Sequence, residues 1–289
     1  MNKMKSFKYF MTLLISFLFV GSLVAQDLIS VNELAKKLSD PNVVIVSAQK
    51  ADKYAATHIK GSINLPPADL TVDEPVEYVL DSPANIAKKL GAAGISDKME
   101  IVVYDNGTSK YSGRLYWTLV YMGAENVKIL NGELTAWKTG RKPITKTPTK
   151  GKATTFTVNV KPQFIAKMDE VVIATSNPSY VIIDARTPEE YNGTDESDLR
   201  KGHIPGAINI NYTDVLDSKG KLKDKETLAA LYKAQGVSPD KTIIIYCASS
   251  VRASIEFFAL TSILEYKNVK VYDGAFNEWE ALSSNKVIL

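Results

Sequence analysis

The stretch "IVVYDNGTSKYSGRLYWTLVYMGAENVKILNGELTAW", Ile101 to Trp137, is answered by "IIIYCASSVRASIEFFALTSILEYKNVKVYDGAFNEW", Ile243 to Trp279. The two align without a gap, every residue number shifting by 142. Tyr104 matches Tyr246, "NVK" recurs at Asn126 and Asn268, Gly132 matches Gly274, and Trp137 matches Trp279. Self-similarity at a fixed offset marks a duplicated structural unit. Upstream, "HIKGSINL" at His58 answers "HIPGAINI" at His203, and "NVVIVSAQKADKY" answers "SYVIIDARTPEEY". The second copy carries about eight extra residues between that strand and its histidine, within "NGTDESDLRK".

Each copy reads strand, short helix, "HI-x-G" turn, helix, strand, loop, helix, strand, helix. "VVIVS", "VIIDA", "IVVY" and "IIIY" are short apolar runs of the kind buried on both faces of a sheet. Their alternation with helices predicts a parallel sheet flanked by helices on both faces. The fold class is therefore α/β, with two similar tandem domains at residues 26–145 and 161–289. Residues 146–160, rich in Lys, Thr and Gly and without helical period, form the linker.

The 289 residues, 45% hydrophobic and 23% charged, suit two domains that need no disulfide or metal staple. A net charge of +3 without dense basic clusters argues against nucleic acid as a partner. Residues 1–25 read as a signal peptide: Lys3, Lys5 and Lys8, then the apolar "MTLLISFLFV", then small residues ending at Ala25. That apolar run is short for a membrane span. The expectation is an exported chain, periplasmic or secreted, with no stable membrane insertion after cleavage.

Export sharpens the meaning of a lone cysteine, Cys247, which cannot form an internal disulfide. It follows "IIIY" directly, at the carboxyl end of a predicted parallel strand, where open sheets bind ligands. A helix starts near Val251 or Arg252. Loop amides and a helix start facing the thiol would stabilise negative charge on sulfur, and Arg252 adds a fixed positive one. His58 and His203, the only histidines, occupy equivalent turns and read as structural. No clustered ligand set suggests a metal, and no glycine-rich fingerprint suggests a dinucleotide, so no cofactor is expected.

The loop "CASSVR", the "DAR" strand end, the "GHIPGAIN" turn and the "DGAFNEW" segment together resemble the rhodanese sulfurtransferases, in their tandem two-domain form. The resemblance covers essentially everything after the signal segment. It implies that Cys247 takes a sulfane sulfur from a small anionic donor, becomes a persulfide, and yields the sulfur to a thiophilic acceptor such as cyanide or a thiol. It further implies that amides from Ala248, Ser249, Ser250 and Val251 cradle the persulfide and that Arg186 binds substrate. A structural ion pair with an acidic neighbour is the alternative for Arg186. The first copy has Asp105 at the cysteine position, in "DNGTSK", and resembles the inactive partner domain. The chain is expected to act as a monomer.

Two rival readings remain at this stage. A cysteine phosphatase or arsenate reductase would have five residues between cysteine and arginine, and this loop has four, "ASSV". A non-catalytic binding module is disfavoured by the retained Cys247. Between thiosulfate and 3-mercaptopyruvate as donor, Arg252 favours the compact dianion, thiosulfate. Ser250 stands where many family loops have glycine, which predicts either a reshaped loop or a strained serine whose hydroxyl faces the persulfide.

Overall fold

The computed structural model describes residues 27–196 and 199–289; the signal-peptide reading of residues 1–25 lies outside them. The first sheet is built from β1 (Leu28–Ile29), β2 (Val43–Ser47), β3 (Ile63–Asn64), β4 (Glu100–Tyr104) and β5 (Asn126–Leu130). The second uses β6 (Ile165–Ala166), β7 (Tyr180–Asp184), β8 (Ala207–Asn209), β9 (Thr242–Tyr246) and β10 (Val269–Tyr272). Both are five-stranded, and their orders, β1-β5-β4-β2-β3 and β6-β10-β9-β7-β8, are the same topology. All pairings within them are parallel.

Successive residues of these strands bury against opposite helix layers. Val46, Val103, Ile183 and Ile245 face a single hydrophobic cluster that runs through both domains, whereas Ile45 and Val102, and Ile182 and Ile244, face separate outer clusters. This is why the strands are apolar throughout rather than alternating. The two domains meet where helix Lys110–Met122 crosses helix Ala253–Phe258, which continues as a π-helical turn over Ala259–Ile263. Gly113 permits the crossing: a Cβ there would come within 2.8 Å of the Ile255 amide nitrogen.

The linker is a bound strap. Thr154 N donates to Gly91 O (2.9 Å), Thr157 N to the Asp97 carboxylate (2.9 Å) and Asn159 N to Met122 O (3.0 Å), with Phe156 buried between them. The two "HI-x-G" turns are built alike. The rings of His58 and His203 stack on Tyr54 and Tyr191 at 3.7 Å, and each bonds through Nδ1 to that tyrosine's carbonyl. Tyr104 and Tyr246 each accept the amide of the following isoleucine, Ile59 or Ile204. The structural reading of the histidines therefore holds.

Glu256 lies on the interface helix, fully buried, with Oε1 unpartnered among the described residues and Oε2 accepting only from Tyr232 Oη at 3.4 Å. Burial pushes its carboxyl well above the usual range, opposed weakly by Tyr232. The folded chain thus keeps a proton that the unfolded chain releases, so stability falls as pH rises above the unfolded carboxyl's value. Glu256→Gln is expected to raise Tm at pH 8, by about 2–4 °C per kcal/mol recovered, and to match wild type more closely near pH 4. Calorimetry at both pH values checks this; an unchanged or lowered Tm at pH 8 contradicts it.

Candidate functional site

Strand β9 ends at Tyr246, and Cys247 follows at the carboxyl edge of the sheet, 1% exposed. Its carbonyl accepts the Phe276 amide at 2.9 Å, which fixes the start of the loop against the "DGAFNEW" segment. Ala248 and Ser249 are half-buried, Val251 is buried, and Ser250 is fully buried. Among the described residues, the amides of Ser249, Ser250, Val251 and Arg252 donate to no protein acceptor. Helix Ala253–Phe258 begins immediately afterwards.

The first domain displays what such a loop holds. At the matching position the Asp105 carboxylate is fully buried and accepts from the amides of Gly107 (2.7 Å), Thr108 (2.9 Å), Ser109 (3.2 Å) and Tyr111 (3.2 Å) and from Thr108 Oγ1 (2.7 Å). The corresponding residues of the second loop are Ser249, Ser250, Val251 and Ala253. The two paths are not identical: Gly107 and Ser109 are left-handed in the first loop, and Ser250 alone, at φ +58°, in the second. Behind Asp105 sits Glu133, whose carboxyl accepts the Asp105 amide at 2.6 Å and Ser112 Oγ at 2.6 Å. Burial, reinforced by the Asp105 charge, pushes it well above the usual carboxyl range.

Arg252 faces Cys247 and is gripped from behind by Glu190, with Nη1 and Nη2 each 2.6 Å from one carboxylate oxygen. Burial works against its charge, but the Glu190 carboxylate and the Cys247 sulfur outweigh that and hold the guanidinium above its ordinary value. Burial likewise raises Glu190, but Arg252 and the Thr187 amide prevail and its carboxyl ends below the usual range. Burial raises the Tyr212 hydroxyl, Arg252 counters this, and Asp105, Tyr111 and Cys247 add to it.

Arg186 sits in the ion pair that stood as the alternative to its substrate-binding role. It is 0% exposed, its guanidinium meets Asp184 at 2.7 Å and the Gly202 carbonyl at 2.7 Å, and it lies 3.8 Å from the Phe276 ring centre. It is the structural ion pair with an acidic neighbour, tied further by Tyr246 Oη to Asp184 at 2.6 Å. In the first domain Ser47 and Gln49 take these places as a neutral pair, 3.0 Å apart. The Ser250 reading is corrected in part: the residue is strained, but its hydroxyl donates to Ser249 O (2.7 Å) and accepts from Arg114 of the first domain.

Glu190, Tyr212 and Arg114 were not singled out by the sequence reading. Glu190 carried a signal, since "TPEE" is a capping box, with Thr187 N donating to Glu190 Oε2 at 2.9 Å. That signal explained the residue as a cap and concealed its second partner.

With this geometry in place, comparison with known proteins is direct. The rhodanese-like domain family matches residues 30–139 and again 168–282. The chain belongs to the rhodanese family. The 3-mercaptopyruvate sulfurtransferase of Escherichia coli strain K12 is 32% identical over 262 residues, covering 86% of this chain and 92% of that one. The thiosulfate sulfurtransferase of Azotobacter vinelandii is 29% identical over 248 residues, covering 86% and 91%. The crystal structure of the Escherichia coli 3-mercaptopyruvate enzyme SseA superposes with a TM-score of 0.81 at 30% identity, covering 86% of this chain and 98% of that one. This tandem rhodanese is a sulfurtransferase, and a bare binding module is not favoured.

The two arginines should separate in experiment. Arg252→Gln is expected to slow sulfur uptake per folded molecule by about 100-fold, as for loss of one preorganised charge partner. Arg186→Gln is expected to cost about 3–5 kcal/mol of stability, as for a broken buried pair, with a much smaller effect on uptake. Denaturant melts and single-turnover uptake on both variants check this; the opposite ranking would return Arg186 to the substrate.

Proposed function

We propose that the chain moves a sulfane sulfur through a Cys247 persulfide, with thiosulfate as its preferred donor. The observation that carries this reading is the Asp105 loop. On the same scaffold, the same kind of turn gathers four backbone amides around a carboxylate, and the second copy puts a thiol where that carboxylate starts.

The chemistry follows in two half-reactions. The Cys247 thiolate attacks the outer sulfur of thiosulfate, a new S–S bond forms, the old one breaks, and sulfite leaves with the bonding pair. Loop amides from Ala248 through Ser249, Ser250 and Val251 to Arg252, with the Arg252 guanidinium, hold the negative charge on the terminal sulfur. An acceptor, cyanide or a small thiol, then attacks that sulfur, and the Cys247 thiolate departs. Arg252 suits a compact dianion, and Glu190 fixes the guanidinium's orientation without consuming the face turned to Cys247. Asp105 has no counterpart to this sulfur chemistry, so the first domain contributes cleft walls and support.

Intact mass after thiosulfate treatment should rise by one sulfur atom in wild type and not in Cys247→Ser. No gain with thiosulfate or with 3-mercaptopyruvate would sink the proposal. Steady-state kcat/KM is expected to be higher with thiosulfate; a higher value with 3-mercaptopyruvate reverses the donor assignment. Export belongs to the same proposal, resting on the basic, apolar and small-residue succession over residues 1–25. N-terminal sequencing of the protein from its native cell should begin at Gln26, and an intact Met1 terminus in the cytosol would refute it.

A further inference from the structure

Arg114 stands within helix Lys110–Met122 of the first domain and is 0% exposed. A buried guanidinium is tolerated only if its charge and donors are met. Its Nη1 and Nη2 donors are met outside its own helix, two of them across the domain interface, while Nε is buried without a partner among the described residues. Nη1 donates to Ser250 Oγ, on the Cys247 loop. Nη2 donates to Asp273 Oδ1 at 2.8 Å, just beyond β10, and to the Tyr78 carbonyl at 2.8 Å. The other Asp273 oxygen accepts the Leu80 amide at 2.9 Å, and the Trp117 ring centre lies 4.6 Å from the guanidinium carbon. The cation is thus locked from several sides before it reaches Ser250.

Ser250 needs such a lock. At φ +58° its backbone is left-handed, a conformation that brings the Cβ of any residue but glycine close to the following carbonyl oxygen. Strained residues persist where their surroundings over-determine them. Here the hydroxyl is held by Arg114 and Ser249 O, and the Ser250 carbonyl accepts Ser254 Oγ at 2.9 Å. The support runs one way. The residue matching Arg114 in the second copy is Glu256, whose carboxyl meets Tyr232 of its own domain.

We propose that Arg114, from the domain without a nucleophile, is a positioning residue for sulfur transfer: it fixes Ser250 in the left-handed turn that wraps the Ser249–Arg252 amides around the Cys247 sulfur. The proposal rests on the reading of Cys247 as the persulfide-forming thiol. Arginine suits the task because its rigid fork can serve the carboxylate of Asp273 and the hydroxyl of Ser250 together, which an ammonium cannot do in one geometry.

Glycine adopts positive φ without the steric penalty, so Ser250→Gly should relieve the loop's dependence on Arg114. The test is a double-mutant cycle on the full chain: wild type, Arg114→Met, Ser250→Gly and the double variant. Single-turnover sulfur uptake from thiosulfate is followed by intact mass, and Tm is measured alongside. Arg114→Met is expected to slow uptake by about 100-fold in the wild-type background, a typical cost of misplaced geometry. In the Ser250→Gly background the same substitution is expected to slow it by less than about 5-fold, the difference being the coupling, while Tm falls comparably in both. Equal losses of uptake in both backgrounds, or no loss in either, would overturn the proposal. If Arg114→Met does not fold, Arg114→Lys, which keeps the charge beside Asp273 but loses the fork, is expected to show the same background dependence, and its absence overturns the proposal equally. Should wild type take no sulfur from either donor, the Cys247 reading fails and this proposal with it. Normal wild-type uptake with background-independent losses overturns this proposal alone.

Discussion

The organisation of this molecule depends on one electrostatic constraint: a turn at the carboxyl edge of a parallel sheet concentrates backbone N–H groups, and such a concentration must be met by negative charge. The first domain meets it permanently, with the Asp105 carboxylate taking four loop amides. The second domain has a thiol at the same place, and in the proposed reaction the need is met by the negative terminus of a Cys247 persulfide. The two copies differ throughout this loop, Asp105 standing where the second has Cys247, while the strand order of the sheets that hold the loops is the same.

The charges around the two loops follow from that difference. Beside Asp105, burial and the neighbouring carboxylate push the Glu133 carboxyl well above its usual range. Beside Cys247, Arg252 stays charged because Glu190 backs it, leaving a cation facing the sulfur. The ion pair of Arg186 with Asp184 is set further back, bracing the sheet edge through Tyr246 and Gly202. The interface then does more than bury surface, since the fully buried Arg114 carries the first domain's rigidity to Ser250.

Much of this was legible in the sequence. The repeat at a constant offset predicted two like domains, and the apolar runs predicted strands buried on both sides, because those patterns are local and repeat with the fold. Cys247 and the Asp105 substitution were legible for the same reason, each being fixed in register by its flanking strand. What escaped were partners brought together by tertiary structure. Glu190 was not singled out, because its local pattern is that of a helix cap while its hold on Arg252 spans 62 residues. Arg114 was not singled out either, and its bond to Ser250 spans 136 residues. For Arg186 the sequence left substrate binding and an ion pair both open, because a strand-end arginine does not show how much of its charge is met by Asp184, and the structure shows that pair. The strain at Ser250 was foreseen from its residue type, but not where its hydroxyl points.

The most direct measurement of the central claim is a crystal structure of the thiosulfate-treated protein. The account predicts one additional sulfur atom, bonded to Cys247 and within hydrogen-bonding distance of the Ser249–Arg252 amides, with the Asp105 loop unchanged. An unmodified Cys247 in protein that has taken up sulfur, or a persulfide directed away from those amides, would contradict it.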